Sequence, residues 1–310
     1  MTNSKNIPKK IVARIATLIL CILSTVLALL FSSELKASII IGMKLAAIKI
    51  IPTLFPFMVI SDFWMCSINF DKKNKAGYAF EKIFKINKNA LIAFITGIFA
   101  GFPMGVKTSV DLYNNSIITK DELERLAPII NLPSFAFVIS GVGLGLYRDI
   151  KIGFVLYFSV VSSSVFYGII KGLNKNYSHF SGNNIRQTFN LTSSIKQAGY
   201  SSITISSYII FFSGLLGLVS VLAKNDILLS VISSFIEVGN ATSIISKNCR
   251  LPNDFALIVT SFALGFSGLS VHLQAFNFLP EDISKRKYIF SKLIIGIFSS
   301  IITAAFVYAY

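Results

Sequence analysis

The sequence predicts an all-α polytopic membrane protein, made of two oppositely oriented halves behind one extra N-terminal span. Three observations point there. The 310 residues are 54% apolar and only 14% charged, with a mean hydropathy of +0.70, too oily for a soluble chain of this size. The 29 lysines and arginines behind the net charge of +15 fall in short clusters between apolar runs, which marks cytoplasmic loops and not a nucleic-acid surface. Glycine and proline break the apolar runs at corresponding places in the two halves, and backbone freed inside lipid needs protein or a wet cavity around it.

Lys9, Lys10 and Arg14 precede the apolar run 15–31. It is long for a signal peptide and Phe31-Ser32-Ser33-Glu34 is a poor cleavage site, so the run is read as a retained first span. A second span covers 38–65, with Pro52 and Pro56 inside it. Lys44 and Lys49 in its first half either snorkel to the interface or, for Lys49, face a cavity and attract an anion. From Asp71 to Lys88, six lysines (72, 73, 75, 82, 85 and 88) face only Asp71 and Glu81, the strongest cytoplasmic marker in the chain.

Residues 89–118 then enter the membrane and turn back at Gly101-Phe102-Pro103-Met104-Gly105-Val106-Lys107, a re-entrant hairpin. Its far flank, Thr119 to Arg125, is polar again and starts a helix, with Thr119 as N-cap and Glu122 three residues on. The span 126–146 breaks at Asn131-Leu132-Pro133-Ser134. Gly141, Gly143 and Gly145 beyond the break are packing glycines, since no strand precedes them to make a phosphate loop. The span 152–170 leads to a polar linker, in which His179 is solvated.

The second half repeats this order: a span over 195–222, a hairpin over 226–250 hinged at Glu237-Val238-Gly239-Asn240-Ala241, a span over 252–279 broken at Gly265-Phe266-Ser267-Gly268, and a last span over 288–307 behind Lys285-Arg286-Lys287. The organisation is therefore 1–36 (cytoplasmic N-terminus and first span), 37–171 (first repeat), 172–194 (linker) and 195–310 (inverted second repeat), about seven spans and two hairpins. With the N-terminus in the cytoplasm every large basic cluster falls inside, the C-terminus lies on the far side, and the halves come out inverted, as in many secondary transporters.

Enzyme chemistry is not expected. No His, Cys and carboxylate cluster has ligand spacing, no nucleophile has a base, and no acidic pair is present, so no metal or cofactor is implied. Cys21, Cys66 and Cys249 are isolated and are read as unpaired thiols.

The runs Leu54-Phe55-Pro56-Phe57, Gly101 to Lys107 with Asp111 to Tyr113, Thr119 to Leu126, and Gly265-Phe266-Ser267-Gly268-Leu269-Ser270-Val271-His272-Leu273-Gln274 resemble the sporulation integral membrane protein YlbJ family. The resemblance covers roughly residues 15 to 307. That family lies in the nucleoside-recognition (gate) domain group and is similar in pattern to the concentrative nucleoside transporters. This chain departs from it where the family has an Asn-(small)-Ser-Gly-Pro segment, here Asn131 to Phe135, and a Glu-X-Thr-X-Gly turn, here Glu237 to Ala241.

The resemblance implies passage of a small solute across the outer forespore membrane, with dipicolinic acid moving from mother cell to forespore as the favoured cargo. A Na+- or H+-coupled nucleoside-like cargo and a non-transporting sporulation scaffold are the alternatives. A small, anionic solute and membrane lipid are the expected partners, nucleic acid is not, and a homo-oligomer is compatible.

Substrate-binding candidates are Gly101, Phe102, Gly105, Lys107, Asn131, Ser134, Asn240, Gly265, Ser267, His272 and Gln274. Lysine, exposed amides and side-chain donors would hold two carboxylates, and Phe102, Phe135 and Phe266 would flank a ring. Glu237 and Asn131 are candidates for ion coupling. Each has a structural alternative: Lys107 pairing with Asp111, Glu237 pairing with Lys247 or Arg250, His272 bonding backbone freed by the break, and the phenylalanines in the core.

Overall fold

The computed structural model describes residues 9–67, 75–175, 190–223, 225–248 and 252–309, and those residues form helices joined by short turns with no strand among them. The first helices are α1 (Lys9–Leu30), α2 (Ser32–Lys44) and α3 (Ile51–Ser67). α1 and α2 meet at 90°. α1 exposes Ile15, Leu18, Ile22 and Leu29, the surface of a helix solvated by lipid. Between α2 and α3 the helix widens into π turns over Leu45–Ile50, just ahead of Pro52 and Pro56, each of which removes an N–H from the α ladder. The span expected over 38–65 is thus a helical run with a widened turn inside it.

The first hairpin is α5 (Leu91–Phe99) and α6 (Met104–Asn114), approached through α4 (Lys75–Phe84). Its arms touch because Gly97 and Gly105 oppose each other: a Cβ on Gly105 would lie 2.9 Å from the Gly97 Cα and 2.6 Å from the Ile130 carbonyl oxygen. α7 (Lys120–Ile130) follows and starts as expected, with Thr119 and Glu122 closing a reciprocal capping box. The chain is non-helical over 131–134 and resumes with π turns over Phe137–Tyr147. Of the glycines there, Gly143 packs closely, since a Cβ on it would stand 2.7 Å from the Cα of Gly153 in α8 (Ile150–Gly172), whereas Gly141 and Gly145 meet only their own helical segment and line a groove.

In the second half, α9 (Leu191–Leu222) precedes a hairpin of α10 (Asp226–Ile236) and α11 (Val238–Lys247). Its base is closed by the Asn248 amide donating to the Asp226 carbonyl and to Ser230 Oγ, both at 3.0 Å. α12 (Asn253–Phe266) and α13 (Gly268–Phe276) are separated by Ser267 and Gly268 at φ +76° and +73°, and α14 (Lys285–Ala309) closes the bundle. Four helical stretches among the described residues are long and apolar enough to cross a membrane: Ile150–Gly172, Leu191–Leu222, Asn253–Phe276 and Lys285–Ala309. An all-helical membrane protein follows from these.

The basic loops meet at one end of the bundle. Arg125 donates to the carbonyls of Phe84 (3.0 Å) and Lys85 (2.8 Å), Lys175 pairs with Asp121 (2.7 Å), Lys120 with Asp282 (2.8 Å) and Lys287 with Glu124 (2.9 Å). α8 ends and α14 begins here, so Arg148 lies at the other end, where Tyr147 bonds Thr260 of α12 at 2.7 Å. Lys72, Lys73, His179, Cys249, Arg250 and the side chains of Lys49 and Cys66 lie outside the described residues, whereas Cys21 is an exposed free thiol.

The Lys287 ammonium bonded to Glu124 holds its carboxyl below the usual carboxylate range, and Lys120 does the same to Asp282. Both folded values are depressed, so this contribution is present above the ordinary carboxylate pKa and is lost as pH falls through the folded values. Melting of the detergent-solubilised protein is expected to lose stability on acidification below about pH 4.5. Lys287→Ala should flatten that slope, and an unchanged slope would count against the latch.

Candidate functional site

The tip of the first hairpin is the turn Gly101–Pro103, since α6 already starts at Met104. Gly101 takes φ +77°, a conformation open to glycine, and a Cβ on it would stand 2.5 Å from the Ser134 amide nitrogen. The tip therefore rests directly on the first helix break. Tyr157 of α8 ties it from the other side, donating to the Ile98 carbonyl at 2.9 Å.

The second tip is a single extended residue, Glu237, with φ −150° and ψ 119°. Its Oε1 accepts from the Gly239 amide at 2.8 Å and its Oε2 from the Asn240 amide at 2.6 Å, so the carboxylate caps α11. Gly239, Asn240 and Ala241, expected in the hinge, are already helical. A Cβ on Gly268 would meet the Glu237 amide nitrogen at 3.1 Å, which places the second tip on the second break.

Both tips, the first break and the α13 helix that follows the second break face one chamber. Gly101, Phe102, Ser134, Glu237, Gly239 and Gln274 line it, and Leu54, Phe137 and Ile205 among others supply apolar wall. Its volume is about 40 Å3, room for a few waters. Leu45, Ile50, Phe137 and Gly239 are shared with a wider groove of about 720 Å3, whose polar members include Lys44, Ser140, Asn240 and Ser243. Gln274 Oε1 is buried with no hydrogen-bond partner, an acceptor aimed at nothing the protein supplies.

The structure thus brings Gly101, Phe102, Ser134, Glu237 and Gln274 together, with Asn240 in the adjoining groove. The remaining candidates lie elsewhere. Gly105 is consumed by hairpin packing, and Gly265 by close packing of α12 on α14, where a Cβ on it would stand 2.9 Å from the Gly296 Cα. Ser267 bonds the Leu264 carbonyl at 3.1 Å. Lys107 points to Gln197 (3.2 Å) and Asp62 (3.6 Å), tying the first hairpin to α9 and α3 instead of pairing with Asp111. Phe135 packs on Phe154 and Tyr157, while Phe266 sits among Phe235, Phe262 and His272, so neither borders the chamber.

Asn131 and His272 belong to a buried cluster behind the first break. The Asn131 amide donates to the Tyr288 hydroxyl at 2.5 Å, and Lys292 donates to the Asn131 carbonyl at 2.8 Å. His272 Nε2 meets the Phe266 carbonyl at 2.7 Å, the backbone role given as its alternative. Lys292 is not a site residue that the sequence points to. It stands five residues past Lys287, about 7.5 Å further along the helix, and reads in sequence as the tail of a basic cluster. Its only signal is a lone cation inside an apolar run.

No protein-family model matches the chain, and no solved structure does. Among curated proteins it is similar to the sporulation integral membrane protein YlbJ of Bacillus subtilis (strain 168), at 23% identity over 303 residues that cover 81% of this chain and 72% of that protein. The resemblance carried by the glycine motifs agrees with that likeness.

Proposed function

Proceeding from the likeness to a sporulation membrane protein, we propose that this chain carries a small solute across a membrane during endospore formation, and that the cargo is dipicolinic acid. One observation carries the transport reading: two hairpin tips, the first helix break and the helix after the second break, far apart in sequence, converge on a single chamber that shares its wall with a wider groove carrying Lys44, Ser140, Asn240 and Ser243. Broken helices facing a shared cavity are how secondary carriers present backbone groups to a solute. Lys44 on the groove suits the approach of a dianion. The inverted arrangement, with the N-terminus in the cytoplasm, belongs to this proposal. It draws support from the basic loops gathered at one end of the bundle.

A second cargo has its own observation. Among the described side chains the chamber is lined by one ionisable group, Glu237, and by no lysine. A carboxylate and an unpaired amide oxygen on Gln274 suit a neutral solute with hydroxyl or N–H donors, such as a nucleoside.

The test is uptake of labelled dipicolinate and uridine by proteoliposomes holding the full chain. Saturable dipicolinate uptake that excess unlabelled dipicolinate suppresses is the expected result. Uptake of uridine alone transfers the assignment to the second cargo, and uptake of neither in vesicles with folded protein leaves the chain a scaffold.

A further inference from the structure

Where α7 ends, the carbonyl of Asn131 is released from the helical ladder, and carbonyls of this kind hold the coupling cation in carriers built from broken helices. Here Lys292 of α14 reaches across and donates to it at 2.8 Å. Lys292, Asn131 and His272 are all fully buried. No carboxylate of the described residues stands within 4.0 Å of its Nζ, so Lys292 has no ion-pair partner there.

The neighbours carry spare acceptors. The Asn131 amide nitrogen is used on Tyr288, and its Oδ1 is buried without a donor. A carbonyl only accepts, so His272 Nε2 carries a proton toward Phe266, and in the neutral ring Nδ1 is a bare lone pair that also lacks a donor. The His272 ring lies edge-on to Tyr288 at 5.6 Å, which keeps these groups in one cluster. A backbone carbonyl and an amide oxygen are ligands for an alkali ion, and Lys292 is bonded to the first of them. Buried ammonium groups without partners are costly, and one inside a membrane span points to a role in the ion pathway.

We infer that Lys292 is a tethered cation, whose ammonium occupies the position at the first helix break that an alkali ion would otherwise take, so that the protein works without Na+. The inference rests on the carrier reading for its meaning in transport, but its test measures stability. A failure of uptake and a failure of this site are therefore told apart.

Full-length protein in detergent is melted in choline chloride and in NaCl or KCl at equal ionic strength. The wild-type melting temperature is expected to be the same in all three. Lys292→Ala should melt lower in choline and recover by several degrees, saturably, as NaCl or KCl replaces it, because an ion that binds only the folded state stabilises it by mass action. Lys292→Met, which fills the space without charge, should stay indifferent to the salt. A wild type stabilised by Na+ as much as Lys292→Ala would overturn the inference. So would a Lys292→Ala protein that no alkali ion restores, including one that folds in none of the three salts. In vesicles that accumulate solute, wild-type uptake should be equal with Na+ and with choline.

Discussion

Gly101→Val is expected to abolish uptake and to lower stability by roughly 3 kcal/mol, the sum of a left-handed backbone imposed on a β-branched residue and overpacking at a tight contact. Gly101 sits at φ +77° with no room for a Cβ against the Ser134 backbone. The added methyls push the first tip off the first break and deform the chamber both of them line. The measurement is solute uptake beside thermal melting, with Gly199→Ala as control. Gly199 lies within α9, and nothing stands within 4 Å of the position its methyl would take, so its replacement should leave uptake intact and raise stability slightly. Uptake by Gly101→Val at the wild-type rate would mean that the tip is not part of the path.

Glu237→Gln separates the two cargoes by the sign of its effect. If the solute is a dianion, the glutamate carboxylate repels it. At roughly 5 Å and an effective dielectric near 20 the repulsion is about 3 kcal/mol per pair of unit charges. Removing it should tighten dipicolinate binding by about 100-fold or more. If the solute is nucleoside-like, the same change removes a charge-assisted hydrogen bond worth about 1.5–3 kcal/mol, and uridine affinity should fall by about 10- to 100-fold. The amide retains one acceptor for the N–H groups at the start of α11, now shared between Gly239 and Asn240. Part of the cap survives, so melting should drop by less than for Glu237→Ala, where the whole cap is lost at about 1–2 kcal/mol. No change in the affinity of either solute would remove Glu237 from the binding surface and leave it only a capping residue.

Much of the fold is legible in the order of residues alone. Hydropathy locates the helices because lipid demands that each crossing segment satisfy its own backbone. Glycine and proline locate the breaks because they act locally: the non-helical residues fall at 131–134 and the left-handed pair at Ser267 and Gly268, both inside the expected breaks. The start of α7 is written in Thr119 and Glu122 for the same reason. What local chemistry does not encode is direction. Lys107 is close to the tip in sequence, yet its ammonium turns to Asp62 and Gln197 from two other helices. Gly265 marks a break by composition but serves as the floor for Gly296, a residue 31 positions away by number. Lys292 hides beside three basic neighbours until the packing of α14 on α7 brings it to Asn131.

By itself, then, the sequence determined the class of solvent, the helices, the two hairpins and the four interruptions, since each depends on the period, polarity or backbone freedom of adjacent residues. Only the tertiary structure decided which of the freed groups share a chamber, which are spent on packing, and which cation stands behind the first break. Those outcomes depend on contacts between segments as distant as the 161 residues that separate Asn131 from Lys292 and more, and helices a few ångströms nearer or rotated by part of a turn would assign the same side chains to different partners.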